Sequence, residues 1–181
     1  MNPLMLAMAA PLLLTPPPVT EGTFKTWRDE ARAVTYDTAV VPAGARATVT
    51  IIQNHAGVRV SLLATGLRPG RPYGAHLHTS PCQKDPAAAG PHYQSRPDPA
   101  AGPGKPSTDP AYANPRNEVW LDFIADRNGV GRAVSAQDWT FAAGRPPRSL
   151  VLHAEHTHTM PGEAGTAGAR LACLTLPVTP S

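Results

Sequence analysis

The chain has 181 residues, which is enough for one domain with a substantial core. Only 16% of the residues are charged, and 15 are Gly and 22 Pro, a composition that favours short strands joined by turns over a helical bundle. The formal net charge is +3 without a cluster of Lys and Arg among aromatic residues, so nucleic acid is not expected as a partner.

An apolar stretch opens the sequence. Residues 1–14 read MNPLMLAMAAPLLL, which is too short to span a bilayer as a helix. We interpret it as the end of a secretion signal without the usual basic start, and the alternative is an apolar leader without fixed structure. Residues 16–18 are prolines and predict a stiff linker. We therefore exclude residues 1–20 from the fold, and we expect one domain over residues 25–178 in a secreted or extracytoplasmic protein (periplasm or cell-wall space) without a transmembrane helix.

Segments of alternating or β-rich character then recur at short intervals. Turn residues separate several of them, as in residues 54–57 (NHAG) and 126–129 (DRNG). Because no segment shows a clear helical stripe, the pattern predicts an all-β domain. The predicted strands cover residues 31–36, 46–53, 57–65, 72–79, 118–126, 131–135, 149–155 and 169–176.

The segment from residue 83 to residue 117 differs from its surroundings. It is rich in Pro, Ala and Gly and carries almost no β signal. A connection this long inside a compact domain is usually functional or disordered. Because it follows Cys82 and contains His92, we favour a functional loop that is pinned to the domain.

The chain contains two cysteines, Cys82 and Cys173. In a reducing cytosol they would be buried or unrelated thiols. In an exported chain their even number favours a disulfide. The two residues by themselves leave both alternatives open.

Seven histidines are candidate metal ligands. His76 and His78 lie on a predicted strand, where residues i and i+2 share a face, so their imidazoles point the same way. Two imidazoles on one face are a common start to a transition-metal site, although such pairs are also frequent on surfaces. His92 in the long loop and His153 at the end of an apolar strand add two imidazoles from separate elements.

The other three histidines have weaker patterns. His55 lies in a predicted turn, and we interpret it as a surface residue. His156 and His158 are out of phase with His153 along a strand, so they should not join the same site without a turn. We expect both to be exposed loop residues, and a second weak metal site is the alternative.

Taken together, four blocks of the sequence resemble the copper/zinc superoxide dismutases. Residues 74–78 (GAHLH) are similar to the copper-binding strand of that family, and residues 82–93 are similar to its disulfide subloop. Residues 150–153 (LVLH) resemble the strand with the last copper ligand, and residues 165–173 (GTAGARLAC) resemble the segment with the active-site arginine and the second disulfide cysteine. The blocks occur in family order over residues 35–176, which makes the resemblance specific.

This resemblance implies an eight-stranded Greek-key β-barrel or sandwich with a long disulfide-pinned loop. It implies a Cys82–Cys173 disulfide and places Arg170 beside the metal, where a guanidinium can hold the superoxide anion. It also implies that His92 supplies a proton to the reduced oxygen species. The implied copper ligands, a set that suits Cu(II), are His76, His78, His92 and His153.

The family's zinc site is missing from the sequence. Between His92 and the next predicted strand there is no further His or Cys, so zinc is not expected and the chain resembles copper-only relatives. A carboxylate could orient His92 instead, because a ligating histidine usually donates its second N–H. Glu118 and Asp122 share one strand face, and we prefer Glu118 for this role. The alternative is a pair of solvated carboxylates.

The expected function is copper-dependent dismutation of superoxide to oxygen and hydrogen peroxide outside the cytoplasm. The alternative is a non-catalytic copper-binding protein that buffers or delivers copper, which would need the four histidines but not Arg170. A structural β-sandwich without metal is the least favoured. The sequence does not indicate an oligomeric state.

Overall fold

The computed structural model describes residues 18–102 and 104–177. The predicted leader, residues 1–14, lies outside these ranges. Within them the chain forms nine β-strands and a short 3-10 helix, Pro86–Ala89. No helix in this part of the chain is long and apolar enough to cross a membrane. The strands are β1 (Val19–Thr23), β2 (Ala33–Thr35), β3 (Arg46–Asn54), β4 (Gly57–Thr65), β5 (Pro72–His78), β6 (Phe123–Ile124), β7 (Gly131–Gln137), β8 (Ser149–His153) and β9 (Arg170–Thr175).

The strands form two antiparallel sheets, with the orders β1-β3-β4-β7 and β2-β9-β8-β5-β6. Alternate residues of each sheet point between them and build the core. Val60 and Leu62 of β4 face Leu77 of β5 and Leu150 of β8 in one buried cluster. The expected all-β Greek-key sandwich is therefore confirmed, and the side chains on the outer face of β5 and β8 are free to build a site.

Two elements differ from the sequence prediction. Strand β1 was not predicted and lies ahead of residue 25, where the predicted domain begins. Its sequence, VTEGT, has no hydrophobic alternation, and it is ordered by pairing with Arg46–Thr50 of β3. The predicted strand 118–126 is reduced to Phe123–Ile124. Residues just before it make only isolated bridges to the long loop and to β5, because they cover the site instead of extending the ladder.

The disulfide between Cys82 and Cys173 is present and joins the start of the long loop to β9. Backbone hydrogen bonds then fold the loop back along β5. Thr79 N donates to Pro91 O at 3.1 Å, Ser80 N to Ala89 O at 2.9 Å, and Tyr93 N to Leu77 O at 2.8 Å. The expected pinned loop is confirmed, and it returns His92 to the side of His78, with which it forms an isolated β-bridge.

Candidate metal centre

Strand β5 carries His76 and His78 on its outer face, and both side chains are fully buried. The alternate residues Ala75 and Leu77 point into the core, so the strand is covered on both sides. The β5–β8 register pairs Gly74 with His153, which places the third imidazole next to the first two. The β8–β9 register shifts between Leu152 and His153, an irregularity that commonly re-aims a side chain beside a functional site.

His92 completes the group from the long loop. Its ring centroid lies 4.0 Å from that of His76, 4.7 Å from that of His78 and 5.6 Å from that of His153. Each of the four histidines offers one ring nitrogen, and these four atoms lie within 4.8 Å of one another. The structure thus brings together all four histidines of the predicted set.

The remaining nitrogen of each ring has a partner that fixes its orientation. Carbonyl and carboxylate oxygens only accept, so three of the rings carry a proton on Nδ1 and leave Nε2 unprotonated. Nε2 of His78 and Nε2 of His153 are 3.2 Å apart. The outer contacts are His78 Nδ1 to Gly90 O at 2.9 Å, His92 Nδ1 to Glu118 Oε2 at 2.8 Å, His153 Nδ1 to Gly168 O at 3.4 Å, and His76 Nε2 to Thr157 Oγ1 at 2.6 Å.

The ring of His76 has the opposite orientation: its Nε2 makes the outer contact, and its Nδ1 faces the other three imidazoles. That atom is buried without a hydrogen-bond partner, and it is the one such histidine nitrogen in the described residues. An unsatisfied buried polar atom costs about 1–3 kcal/mol, so the arrangement is explained if Nδ1 binds a metal. Four convergent imidazoles suit copper, zinc or nickel, and the donor set fits a copper ion.

Burial keeps three of these imidazoles neutral, those of His76, His78 and His153. Desolvation, followed by the charges of the neighbouring histidines, lowers the pKa of His76 and of His78 well below 6.5. The same desolvation lowers the pKa of His153 to about 3. Neutral imidazole is the form that binds metal, so the three side chains are ready to bind at neutral pH without losing a proton.

Glu118 lies against His92, where sequence reasoning preferred it. Its side chain is almost fully buried and accepts three hydrogen bonds. Oε2 accepts from His92 Nδ1 and from Trp120 Nε1, both at 2.8 Å, and Oε1 accepts from Gln94 Nε2 at 2.8 Å. Both carboxylate oxygens therefore have protein donors, although the side chain is almost entirely shielded from solvent.

Asp122 lies against His76 and not against His92. Its Oδ1 accepts from Ala75 N at 3.2 Å and lies 3.5 Å from His76 Nε2. Its Oδ2 accepts from Thr157 N at 2.7 Å, which fixes the hydroxyl that contacts His76. Thr157 had no signal in the sequence, because its approach to β5 depends on how the segment after β8 folds over the sheet.

Arg170 begins β9 and reaches over the disulfide-pinned loop. Nη1 donates to Pro86 O at 2.9 Å and to Ala87 O at 3.1 Å, and Nη2 donates to Gly90 O at 2.8 Å. Burial lowers its pKa from 12.5. The carbonyl of Gly90 also accepts from His78, so one backbone group orients both the guanidinium and a histidine. Gly90 has φ +76°, and a Cβ there would lie 2.5 Å from Thr79 Oγ1, so glycine is required.

A cavity of about 490 Å³ opens beside these residues. It is large enough for a small ion together with water, and two of the four histidines, His92 and His153, line it. The long loop forms one wall and residues 165–168 form the other. Polar and charged side chains in its lining include His92, Glu118, Arg145, His153, Thr166 and Arg170.

The remaining histidines do not join the four-histidine group. His156 is half exposed, with Nδ1 3.4 Å from Asp122 Oδ2. Nε2 of His158 lies 3.1 Å from Glu155, and Nδ1 lies 3.5 Å from Glu163. These two carboxylates approach opposite sides of the ring, so they do not converge on a common point. His55 is exposed in the turn between β3 and β4.

Comparison with known proteins agrees with this geometry. Residues 45–175 match the sequence model of a family described as copper/zinc superoxide dismutase. The fold resembles a Cu/Zn superoxide dismutase from Brucella abortus at 24% identity and a TM-score of 0.51, over 72% of this chain and 88% of that chain.

The fold also resembles two mutant forms of a SOD-like protein from Bacillus subtilis. The single mutant has 15% identity and a TM-score of 0.53, over 72% of this chain and 88% of that chain. The double mutant has 16% identity and a TM-score of 0.50, over 71% and 87%. At these identities the structural likeness establishes the fold alone. The sequence matches no curated protein.

Proposed function

The chain belongs to the copper/zinc superoxide dismutase family, and we propose that it converts two superoxide anions and two protons into dioxygen and hydrogen peroxide at a single copper ion. One observation supports this most directly: four imidazoles converge, and Nδ1 of His76 is buried among them without a partner. When bound, copper supplies one-electron redox chemistry. The residues that would hold it are His76 through Nδ1 and, through Nε2, His78, His92 and His153.

Glu118 takes the part that a second metal would otherwise play, so we propose a copper-only centre. Its Oε2 accepts a hydrogen bond from His92 Nδ1 at an N–O distance of 2.8 Å, which leaves Nε2 directed at the other rings. Outer hydrogen bonds of this kind orient metal-binding histidines and raise their basicity. Asp122 and Thr157 act in the same way on His76.

His92 supplies the proton for the reaction, and Arg170 supplies a positive charge that attracts the substrate. His92 is the most exposed of the four rings and borders the cavity, so when its Nε2 is not bound to copper that atom can take a proton from solvent and donate it to the reduced oxygen species. Arg170 borders the same cavity, and its three hydrogen bonds go to carbonyl oxygens, which do not neutralise it. Its guanidinium therefore attracts and holds the superoxide anion beside His92 and His153.

We place this activity outside the cytoplasm. The Cys82–Cys173 disulfide supports that location, because structural disulfides persist in oxidising compartments and are rare in the cytosol. The buried position of both sulfurs, with Cys173 fully buried, fits a structural bond more than a redox-sensing one.

The test compares copper binding and turnover in the full-length protein. Protein purified from its own compartment is analysed for metal by mass spectrometry, and copper-loaded protein is then assayed for superoxide decay after pulse radiolysis. We expect one copper per chain and decay well above that of a His76→Ala/His153→Ala variant. A His55→Ala/His158→Ala variant is the matched control and should behave as wild type, because neither side chain contacts the four-histidine group or its partners.

Two results would contradict the proposal. If native protein carries copper but superoxide decays as in buffer, the copper-buffering alternative replaces the enzyme. If the native protein carries no copper and does not retain it after loading, both the dismutase hypothesis and the copper-buffering hypothesis are wrong.

A further inference from the structure

We infer that Gln94 is a positioning residue of the metal centre: its side-chain amide fixes Glu118, and through Glu118 the ring of His92, and couples both to the loop that walls the cavity. This loop, residues 95–102 and 104–107, is called the cavity loop below. The inference rests on the proposed function in one respect only, namely that His92 binds the metal.

The amide of Gln94 can be placed in only one orientation. Its Nε2 donates to Glu118 Oε1 at 2.8 Å, and its Oε1 accepts from Asp98 N at 2.9 Å. A flipped amide would turn an oxygen toward the carboxylate and an NH₂ group toward an N–H donor. Gln94 is only 7% exposed and Glu118 only 1%, so water cannot easily repair either mismatch. Glutamine is thus required here for a donor on one side and an acceptor on the other.

The two oxygens of Glu118 accept from different donors, and the Gln94 amide is the donor to Oε1. Oε2 is occupied by His92 and Trp120, while Oε1 has Gln94 as its side-chain donor. Without that donor, Oε1 is left buried and unpaired, and the carboxylate gains by rotating toward another donor. Rotation would move Oε2 away from His92 Nδ1, so the ring that faces the metal would lose its fixed orientation.

The acceptor side of the amide reaches the cavity loop. Asp98 receives a 2.7 Å hydrogen bond from Ser107 at the far end of the loop, which closes it at its base. Gly102 and Lys105 exchange two backbone hydrogen bonds, of 2.9 and 3.0 Å, that close its tip. The loop is therefore a tied unit, and Gln94 joins it to Glu118. Its residues Pro97, Ala101 and Pro106 line the cavity, so the position of the cavity wall and the orientation of His92 depend on one side chain.

The experiment uses two substitutions of Gln94 and a matched control in the full chain. Gln94→Met removes both hydrogen bonds at similar size, and Gln94→Glu keeps the acceptor for Asp98 but places a carboxylate against Glu118. Gln53→Met is the control, because Gln53 likewise accepts from a backbone N–H, that of Phe141 at 2.7 Å, on the exposed end of β3.

Three readouts separate positioning from stability. In metal-free protein, the His92 Nδ1–H resonance in ¹H–¹⁵N spectra reports its hydrogen bond to Glu118. In copper-loaded protein, the Cu(II) EPR spectrum reports ligand geometry, and the rate of copper transfer to a chelator reports retention. For both Gln94 variants we expect loss or broadening of the resonance, an altered EPR spectrum and copper transfer at least about 10-fold faster. The control should match wild type in all three.

The inference is overturned if Gln94→Met keeps the resonance, the EPR spectrum and the transfer rate of the Gln53→Met control. It is also overturned if every variant changes only in its thermal midpoint, because that is what a purely structural role predicts. If wild-type protein does not bind copper, the proposed function fails, and the metal-free resonance still decides the role of Gln94.

Discussion

Glu118 Oε2 lies 2.8 Å from Nδ1 of His92, and the two residues are joined only through the fold, since 26 positions separate them in the sequence. The contact makes an acidic side chain the fixed partner of an imidazole that also borders the cavity. It predicts that Glu118 controls how firmly the centre holds copper.

Replacement Glu118→Gln should therefore weaken copper retention. The amide keeps a similar shape but loses the charge and turns an NH₂ group toward either His92 or Gln94, both of which are donors. Loss of such an outer partner typically costs about 10–100-fold in metal affinity, and we expect copper transfer to a chelator to accelerate by that order. Glu163→Gln, at an exposed loop carboxylate, is the control. Equal transfer rates in the two variants would show that Glu118 does not orient His92.

Arg170→Gln should lower turnover while copper stays bound. The guanidinium borders the cavity but is not among the four convergent side chains, so its loss removes a charge that holds superoxide and no ligand. Removing one preorganised donor to a reacting anion commonly costs about 100-fold in rate, which is the fall we expect in superoxide decay. Arg59→Gln, an exposed residue of β4, should leave the rate unchanged. Loss of copper in parallel with activity would indicate that Arg170 only anchors the loop carbonyls.

Removal of the disulfide should destabilise the domain and loosen the centre. The bond closes a loop of 91 residues, for which chain-entropy arguments give about 4–5 kcal/mol of free energy of unfolding. The double variant Cys82→Ser/Cys173→Ser should show a clearly lower urea midpoint than the oxidised protein, and faster copper transfer because the same loop carries His92. Wild type under reducing conditions provides the second measurement. An unchanged midpoint in both would mean that the bond contributes little to the folded state.

Acidification should destabilise the metal-free protein between about pH 6.5 and pH 3. Burial lowers the pKa of His76 and His78 well below 6.5 and that of His153 to about 3, so the unfolded chain binds more protons in this range than the folded one. The free energy of unfolding then rises with pH across the window. Urea midpoints at several pH values test this, and a His76→Ala/His153→Ala variant should show a flatter dependence. A midpoint independent of pH would contradict the burial of neutral imidazoles.

Much of the fold and of the candidate site was predictable from local pattern. Alternation along residues 57–65 indicates a half-buried strand, because side chains of a strand point alternately to its two faces, and the apolar run before His153 indicates a strand that is buried on both faces. That period also placed His76 and His78 on one face, as the structure has them. Strand β1 was missed because its residues lack alternation and are ordered by pairing with β3. The strand predicted over residues 118–126 is too long, because the first half of this segment makes only isolated bridges to the long loop and to β5.

The sequence by itself determined which chemistry the chain carries: four imidazoles on three separate elements, two cysteines and the arginine three residues before the second cysteine. Residue type and strand period are local properties, so they are visible without the fold. The sequence limited the partner of His92 to Glu118 or Asp122, and the tertiary structure decided between them and placed Asp122 against His76. The tertiary structure also decided the roles of Thr157 and Gln94. These contacts depend on how the long loop and the segment after β8 fold over one sheet. Each contact joins residues that are far apart in the sequence, so the local pattern of either segment does not show it.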